Sequence, residues 1–477
     1  MNLFFDVHLL GLLLLVLGAA QTLSLALAAG FGEPLEPYLV AVGCSVLAGS
    51  ALAFSFRAHD RRLRARDGFF IVGGGWILAS SFGAVPYVAT GILGPVDAFF
   101  ESVAGFTTTG STVLTKIETV PKALLFWRAL TQWLGGMGII LFTIAILPVI
   151  GVGGMELFRA EVPGPVADKI RPRIVETARM LWVLYLGFTA AEVLCLRLAG
   201  VDLFESICHA FTTMATGGFS TRDTSIGSFE SPLVEWIVVF FMLAAGMNFV
   251  LHYRLLQGRF REVWKDAELR YFLAVVAVAT VLVTATLAGE LGWEKAFRQA
   301  TFQVVSILTT TGYVTTDFEA WTPLAHFCFL LLMVLGGMSG STGGGIKSMR
   351  ALLGLRALKA TLDRLVHPHA VRPVKYAGAP VPDEVLAGIW AFFTAYFVVA
   401  AFAAGCVAAA GYDLVTAASS ALTALGNVGP GLGEVGAYDN FAHFPAAIKI
   451  LLSLCMLAGR LEVFTLLVLC FPEFWRR

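Results

Sequence analysis

Four short stretches of the chain combine hydroxyl or amide side chains with a glycine in the same order. They are Thr108-Thr109-Gly110, Thr216-Gly217-Gly218, Thr310-Thr311-Gly312 and Asn427-Val428-Gly429. Glycine accepts positive φ, so successive carbonyl groups in such a turn can point in one direction. Carbonyl oxygens arranged in a ring can replace the water shell of a cation. Four such glycine turns around one axis would therefore form a binding site for a desolvated cation.

Each glycine turn comes at or just after the end of an apolar segment that is too short to cross a membrane. These segments are 97–108, 204–215, 298–309 and 414–425, and they are typical of re-entrant helices. Irregular backbone at membrane depth is stable only where it is buried or lines a water-filled cavity. Asp97 and Glu205, near the starts of two segments, are predicted to cap their helices, with attraction of ions as the alternative. Close helix packing is the alternative role for the glycines and threonines, but it does not explain a fourfold repeat of the same unit.

The composition is that of an integral membrane protein. The 477 residues are 57% hydrophobic and only 14% charged, whereas soluble domains average about 25% charged residues. The net charge of zero gives no electrostatic argument for nucleic acid. The seven cysteines form no CxxC pair and the eight histidines are scattered, so neither a metal centre nor a membrane enzyme is indicated.

Ten apolar segments are long enough to span a bilayer. They lie near 5–29, 37–56, 69–91, 122–150, 180–200, 232–256, 271–289, 321–346, 385–410 and 444–470. The first lacks a basic flank and is too long for a signal-peptide core, although a cleaved signal is the alternative. Lys and Arg concentrate in every second connection, at 57–66, 156–179, 254–270 and 347–375, and at the C-terminus. The positive-inside rule therefore predicts that both termini are cytoplasmic.

Two further features lie within the apolar segments. Residues 336–347 include Gly343, Gly344, Gly345 and Lys347, and a run so rich in glycine cannot hold an ordinary helix. Broken helices at membrane depth usually line an ion path, although a plain helix end is the alternative, and Lys347 suits an interface anchor. Arg460 lies midway along the last span, where a charge is costly unless it faces water or a partner. Pairing with Glu462 is the alternative, but residues two apart point to different helix faces.

The four motifs TTTGST, ATGGFST, TTTGYVTTD and GNVGPG resemble the pore loops of the Trk/Ktr/HKT potassium-transporter superfamily, over nearly the whole chain. Two extra N-terminal helices make it similar to the TrkH-type membrane subunit. The resemblance implies an all-α membrane fold with four tandem helix–pore loop–helix repeats around a central pore in a pseudo-fourfold arrangement. The expected division is 1–66 for the two extra helices and a basic loop, then 67–155, 156–258, 259–375 and 376–477 for the repeats.

The same resemblance implies uptake of potassium, and of rubidium, through a filter made of the twelve residues of the glycine turns. It implies that Gly343, Gly344, Gly345, Lys347 and Arg460 belong to a gate below this filter. It also implies a homodimer in the lipid of a bacterial inner membrane and a cytoplasmic nucleotide-binding regulatory ring of the TrkA type. Potassium is the only cofactor expected, since the chain has no nucleotide motif. A secondary transporter of another monovalent cation, such as sodium, is the alternative.

Overall fold

The computed structural model describes residues 3–56, 65–145, 170–369 and 373–476, which are mostly helical. The helices are α1 Leu3–Phe31, α2 Glu36–Ser55, α3 Ala65–Gly83, α4 Val85–Ala89, α5 Pro95–Phe106, α6 Lys122–Ala145, α7 Ile170–Leu198, α8 Leu203–Met214, α9 Pro232–Gly246, α10 Phe249–Leu256, α11 Phe260–Lys265, α12 Ala267–Leu291, α13 Trp293–Leu308, α14 Pro323–Val334, α15 Ser348–Val366, α16 Asp383–Ala409, α17 Leu414–Gly426, α18 Ala446–Arg460, α19 Phe464–Leu469 and α20 Pro472–Trp475. Short 3-10 helices are Ile117–Thr119, Ser225–Phe229, Phe318–Ala320 and Gly433–Val435. The strands β1 Lys375–Tyr376 and β2 Ala379–Pro380 form an antiparallel hairpin, with Lys375 opposite Pro380.

The chain is an all-α integral membrane protein with four tandem repeats around a central axis, in a pseudo-fourfold arrangement, after two extra N-terminal helices. In each repeat a long helix is followed by a short re-entrant helix, a glycine turn and a second helix. The re-entrant helices are α5, α8, α13 and α17. The helices α1 and α2 pack on each other and on repeat 1. Their crossing depends on small residues, since a Cβ on Gly11 would lie 2.5 Å from the backbone nitrogen of Ala53.

Within the described residues, three of the ten predicted spans are sharply bent or end too early to cross a bilayer as one helix. Among the described residues, six helices are long and apolar enough to cross a bilayer, or up to eight if two bent pairs count as one span each. The predicted spans 232–256 and 444–470 are these pairs, α9–α10 and α18–α19, which bend by 104° and 119°. Asn248 accepts a hydrogen bond from the N–H of Val250 and so begins a new helix at the first bend. The predicted span 321–346 is α14, which ends after 12 residues.

Several predictions fall wholly or partly outside the described residues. They concern the arginines at 57–64, the end of the span 122–150, the boundary between repeats 1 and 2 at 155, and the first part of the basic stretch 156–179. The division of the chain into repeats at these numbers stays a prediction.

Candidate functional site: the glycine turns and the loop beneath them

The four glycine turns share one backbone conformation. Their first and third residues have positive φ, at Thr108 (53°), Gly110 (82°), Thr216 (53°), Gly218 (74°), Thr310 (59°), Gly312 (81°), Asn427 (55°) and Gly429 (110°). Positive φ is uncommon for β-branched residues, which adopt it only where the surrounding structure holds them. Its recurrence at three threonines indicates that the same constraint acts on each turn.

The constraint is a set of hydrogen bonds back to the re-entrant helix. The middle residue of each turn donates its N–H to a carbonyl five positions earlier: Thr109 to Ala104 (2.9 Å), Gly217 to Thr212 (2.8 Å), Thr311 to Ser306 (2.9 Å) and Val428 to Thr423 (3.0 Å). These bonds use the carbonyl groups left free at the helix ends. In the part of the chain that the structure describes, no hydrogen bond is donated to the carbonyl oxygens of Thr109, Thr311 or Val428. Those buried oxygens are available to a ligand.

The four turns form a closed ring. A Cβ on each turn glycine would collide with the middle carbonyl oxygen of a neighbouring turn, from Gly110 to Gly217 (2.1 Å), Gly218 to Thr311 (1.9 Å), Gly312 to Val428 (2.0 Å) and Gly429 to Thr109 (2.8 Å). Each repeat therefore contacts the next one, and the fourth contacts the first. Only glycine fits at these positions, because of both φ and space. The structure brings the twelve predicted filter residues together in this ring.

Repeat 2 departs from the others at Gly217, and a side chain from repeat 1 explains why. Gln132 of α6 donates from Nε2 to the carbonyl oxygen of Gly217 (2.6 Å) and accepts the N–H of Phe219 at Oε1 (3.1 Å). A Cβ on Gly217 would lie 2.4 Å from the side-chain carbon of Gln132. The amide of Gln132 thus occupies the space that a threonine would need. The sequence analysis did not identify this residue.

Asn427 serves repeat 4 where the other turns begin with threonine. Its Nδ2 donates to Thr109 Oγ1 and to the carbonyl oxygen of Met456, both at 2.9 Å. Its Oδ1 is buried and accepts no hydrogen bond within the described residues. Asparagine tolerates the left-handed conformation better than threonine does, and its amide ties the turn of repeat 4 to that of repeat 1.

A buried ion pair holds the segments that follow the turns of repeats 1 and 2. The sequence analysis did not identify this pair either. Arg128 of α6 donates from Nε to Glu101 of α5 at 2.6 Å, and both side chains are almost fully buried. Arg128 also donates to the carbonyl oxygen of Ser220 (2.8 Å), just past the turn of repeat 2. Glu101 accepts the hydroxyl of Thr112 (2.9 Å) and the N–H of Val113 (2.9 Å), just past the turn of repeat 1. The pair therefore fixes the chain leaving two adjacent turns.

The segment 335–347, here called the glycine loop, breaks the second helix of repeat 3 as predicted. Met338 donates its N–H to the carbonyl oxygen of Gly246 (2.8 Å), and the hydroxyl of Thr342 donates to that of Met214 (3.0 Å), both in repeat 2. Gly344 donates its N–H to Thr310 Oγ1 (2.7 Å), so the glycine loop is bonded directly to a glycine turn.

The three consecutive glycines of the loop pack against other backbone segments. A Cβ on Gly343 would lie 3.0 Å from the carbonyl oxygen of Thr309, and one on Gly344 would lie 2.6 Å from that of Gly426. Gly345 has a φ of +64° and lies against Gly336. The side chain of Lys347 donates to the carbonyl oxygen of Gly343. The loop thus lies against the ends of the re-entrant helices of repeats 3 and 4, and Lys347 bonds within the loop.

Arg460 is the last residue of α18 and holds the glycine loop from repeat 4. Its Nη1 donates to the carbonyl oxygen of Thr342 (2.7 Å) and its Nη2 to that of Gly135 in repeat 1 (3.2 Å). The side chain is buried, and its Nε has no partner among the described residues. Glu462 instead pairs with Arg350 of α15, so the alternative pairing of Glu462 with Arg460 is wrong.

Glu268 holds the glycine loop from the opposite direction. This buried residue in the first turn of α12 accepts the N–H of Ser339 (2.6 Å) and the N–H of Met349 (3.0 Å) at one carboxylate oxygen. One side chain therefore joins the loop to the helix that follows it. The sequence analysis did not identify Glu268. The available signal was an ionisable residue directly before the span predicted at 271–289.

Cavities lie on both sides of this assembly. The cavity on the side of the ring away from the glycine loop, here called the outer cavity, is lined by Gly110, Gly218, Gly312 and Gly429. Charged residues such as Arg222 and Asp223 also line it. The hydrogen bond from Arg222 to the carboxylate of Glu205 (2.6 Å) raises the pKa of Arg222. The inner cavity is lined by the glycine loop, Arg460 and Glu462. The glycine loop lies between the ring and this inner cavity.

The predicted caps at Asp97 and Glu205 are wrong. The helix α5 begins after Gly94 without a side-chain cap, and Asp202 caps α8 by accepting the N–H of Phe204. Asp97 instead pairs with Lys449 (2.6 Å), and Glu205 pairs with Arg222. Both carboxylates lie in the first helical turn, where each pairs with a cation of a neighbouring segment.

Comparisons with known proteins agree with this architecture. The TrkH family model, described as a cation transport protein, matches residues 40–476. The chain is 45% identical over 435 residues to the Trk system potassium uptake protein TrkH of Escherichia coli (strain K12), covering 90% of each chain. It is 40% identical over 484 residues to the protein of the same name from Halomonas elongata, covering 100% of each. The crystal structure of the potassium transporter TrkH from Vibrio parahaemolyticus superposes with a TM-score of 0.90 at 38% identity, covering 100% of both chains. The chain belongs to the TrkH family of cation transport proteins.

Proposed function

We propose that this protein mediates potassium uptake through a channel-like pore whose selectivity filter is the ring of four glycine turns. The observation that carries the proposal is the closed ring itself, in which buried carbonyl oxygens such as those of Thr109, Thr311 and Val428 accept no hydrogen bond from the described residues. Such oxygens can replace the hydration shell of potassium. The names of the relatives, which include potassium uptake proteins, support potassium as the cargo.

The re-entrant helices favour a cation at this position. All four end at the ring, so their C-terminal ends, which carry partial negative charge, are directed toward it. The four repeats follow the same order of long helix, re-entrant helix, turn and second helix. A parallel order of this kind supports a pore through the middle, whereas inverted repeats are common in secondary transporters.

The glycine loop and Arg460 are proposed as the gate. The loop lies between the ring and the inner cavity, and Arg460 donates to it at Thr342 (2.7 Å). A guanidinium at this point raises the barrier for a cation leaving the ring. Potassium can therefore pass inward only when the loop moves away from the axis.

The setting of the pore is also a proposal. We place the chain in the lipid of a bacterial inner membrane with both termini in the cytoplasm, because Lys and Arg concentrate at 254–270, 347–375 and other alternate connections. The homodimer is proposed from the family resemblance alone. We propose that the basic stretches 156–179 and 347–375 contact a nucleotide-binding regulatory ring of the TrkA type. No nucleotide motif is present on the chain itself.

The test is uptake of rubidium-86 into proteoliposomes that contain the purified protein, with potassium, sodium or lithium as the competitor. Potassium should compete strongly and sodium weakly. The variant Gly312→Asp should abolish uptake, because it places a side chain and a charge beside the carbonyl oxygen of Val428. Normal flux in a correctly inserted Gly312→Asp protein would refute the filter assignment. Equal competition by sodium would favour a transporter of another monovalent cation.

A further inference from the structure

The residue after each turn glycine differs in every repeat, yet all four make contact in the same direction around the ring. These residues are Ser111, Phe219, Tyr313 and Pro430. Ser111 donates its hydroxyl to the carbonyl oxygen of Gly429 (3.0 Å), from repeat 1 to repeat 4. Phe219 of repeat 2 stacks under the guanidinium of Arg128 of repeat 1, 3.6 Å from the ring centroid. The Cδ atom of Pro430 lies 2.9 Å from the place of a Cβ on Gly312, from repeat 4 to repeat 3.

Tyr313 makes the most extensive of these contacts, from repeat 3 to repeat 2. Its side chain is fully buried, and its hydroxyl hydrogen-bonds to the hydroxyl of Thr212 and donates to the carbonyl oxygen of His209 (3.1 Å), both in α8. Its carbonyl oxygen accepts hydrogen bonds from the side chains of Ser306 (2.7 Å) and Gln303 (3.2 Å) of its own re-entrant helix. Tyr313 thus joins two re-entrant helices at the level of the ring.

We propose that Tyr313 determines ion selectivity by fixing the distance between the turns of repeats 2 and 3. This inference rests on the proposed function, because it assigns a role within the same filter. Selectivity between potassium and the smaller sodium ion requires that the carbonyl oxygens do not close around sodium. The backbone of Tyr313 follows Gly312 directly, so a displacement of its side chain moves a filter oxygen. The hydroxyl resists this displacement, since it is hydrogen-bonded to the neighbouring helix α8. This contact between Tyr313 and α8 is here called the brace.

The chain offers a matched control at Tyr396 of α16. This tyrosine is also buried, but its hydroxyl accepts and donates no hydrogen bond within the described residues. The variants Tyr313→Phe and Tyr396→Phe therefore remove the same atom. The first variant loses the hydrogen bonds of the brace, whereas the second loses none within the described residues. Thr212→Val removes the contact between Thr212 and Tyr313 from the other side, leaves the hydrogen bond from Tyr313 to His209, and keeps the shape of the side chain. Comparison of these three separates the brace from a general loss of packing.

The experiment measures rubidium-86 uptake in proteoliposomes and the ratio of sodium to potassium concentrations that halve it. Tyr313→Phe should lower this ratio at least about fivefold, because it removes the hydrogen bonds to Thr212 and His209 and a single hydrogen bond corresponds to about that factor, while Tyr396→Phe keeps the wild-type ratio. An unchanged ratio in Tyr313→Phe, or an equal fall in Tyr396→Phe, would overturn the brace. If Tyr313→Phe does not fold, Thr212→Val takes its place under the same criterion. A wild-type protein that takes up no rubidium would overturn the proposed function and the brace together, whereas a selective wild type separates the two.

Discussion

The variant Gly312→Ala is the smallest change that tests the close contact between neighbouring glycine turns, because it adds a single methyl group to the ring. Gly312 has a φ of +81°, and a Cβ there would lie 2.0 Å from the carbonyl oxygen of Val428 and 2.9 Å from Cδ of Pro430. The left-handed conformation costs an alanine about 1–2 kcal/mol. Contacts this short also require the Val428 carbonyl to move by about 1 Å, and overpacking of this kind costs about 1–3 kcal/mol. We therefore expect Gly312→Ala to lower the free energy of unfolding by about 2–5 kcal/mol.

Gly258 separates the two contributions. It has a φ of +74°, close to that of Gly312, but no heavy atom lies within 4 Å of the place of its Cβ. The variant Gly258→Ala should therefore lose only about 1–2 kcal/mol, from backbone strain alone. The difference between the variants isolates the steric effect on the ring.

Two assays test the expected difference between Gly312→Ala and Gly258→Ala. The melting temperature of each purified variant reports stability, and rubidium-86 uptake per inserted protein reports the filter. Gly312→Ala should lose most of its uptake even where the folded protein is recovered, because the displaced Val428 carbonyl is a proposed ion ligand. Gly258→Ala should keep its uptake. If Gly312→Ala matched Gly258→Ala in both stability and uptake, the close approach of the turns would be refuted.

Three further variants test the surroundings of the ring. Glu101→Gln leaves Arg128 buried without its carboxylate partner, so we expect a loss of about 3–5 kcal/mol; an unchanged melting temperature would contradict this. Arg460→Ala should raise rubidium flux, and unchanged flux and regulation would leave Arg460 with a packing role only. Glu268→Gln weakens the acceptor shared by two backbone amides of the glycine loop and its following helix, so those amides should exchange hydrogen faster. Asp266→Asn, at the N-cap of the same helix, is the control, and equal exchange in both variants would refute the role of Glu268.

The glycine turns could be predicted from the sequence because their constraint is local. A glycine with a threonine or asparagine two positions before it, at the end of a short apolar segment, defines the turn within a few residues. Because the unit recurs in each repeat, the same prediction applied to all four glycine turns, including the turn that begins with Asn427 instead of threonine. The break at 336–347 was predictable for the same reason, because its glycine content alone excludes a helix.

The residues that hold the turns in place depend on contacts between repeats, which no local pattern reveals. Arg128 and Gln132 both lie on α6 and are four positions apart, so they share one face of the helix. Both are buried, and both bond to residues of repeat 2. Polar residues inside an apolar span are costly and usually functional, so this pair was a readable signal. Its partners were not readable, because they are set by how repeat 1 packs on repeat 2.

The structure also shows that the ring and the glycine loop are not independent. The hydroxyl of Thr310 accepts the N–H of Gly344 (2.7 Å), and Thr310 has the strained positive φ on which its turn depends. Arg460 holds the same loop through Thr342. Movement of the loop away from the axis must break the bond to Thr310, which frees the hydroxyl at the inner end of the ring. The proposed gate would therefore alter the proposed filter as it opens, so the rate of conduction and the affinity of an ion bound at the inner end of the ring should change together.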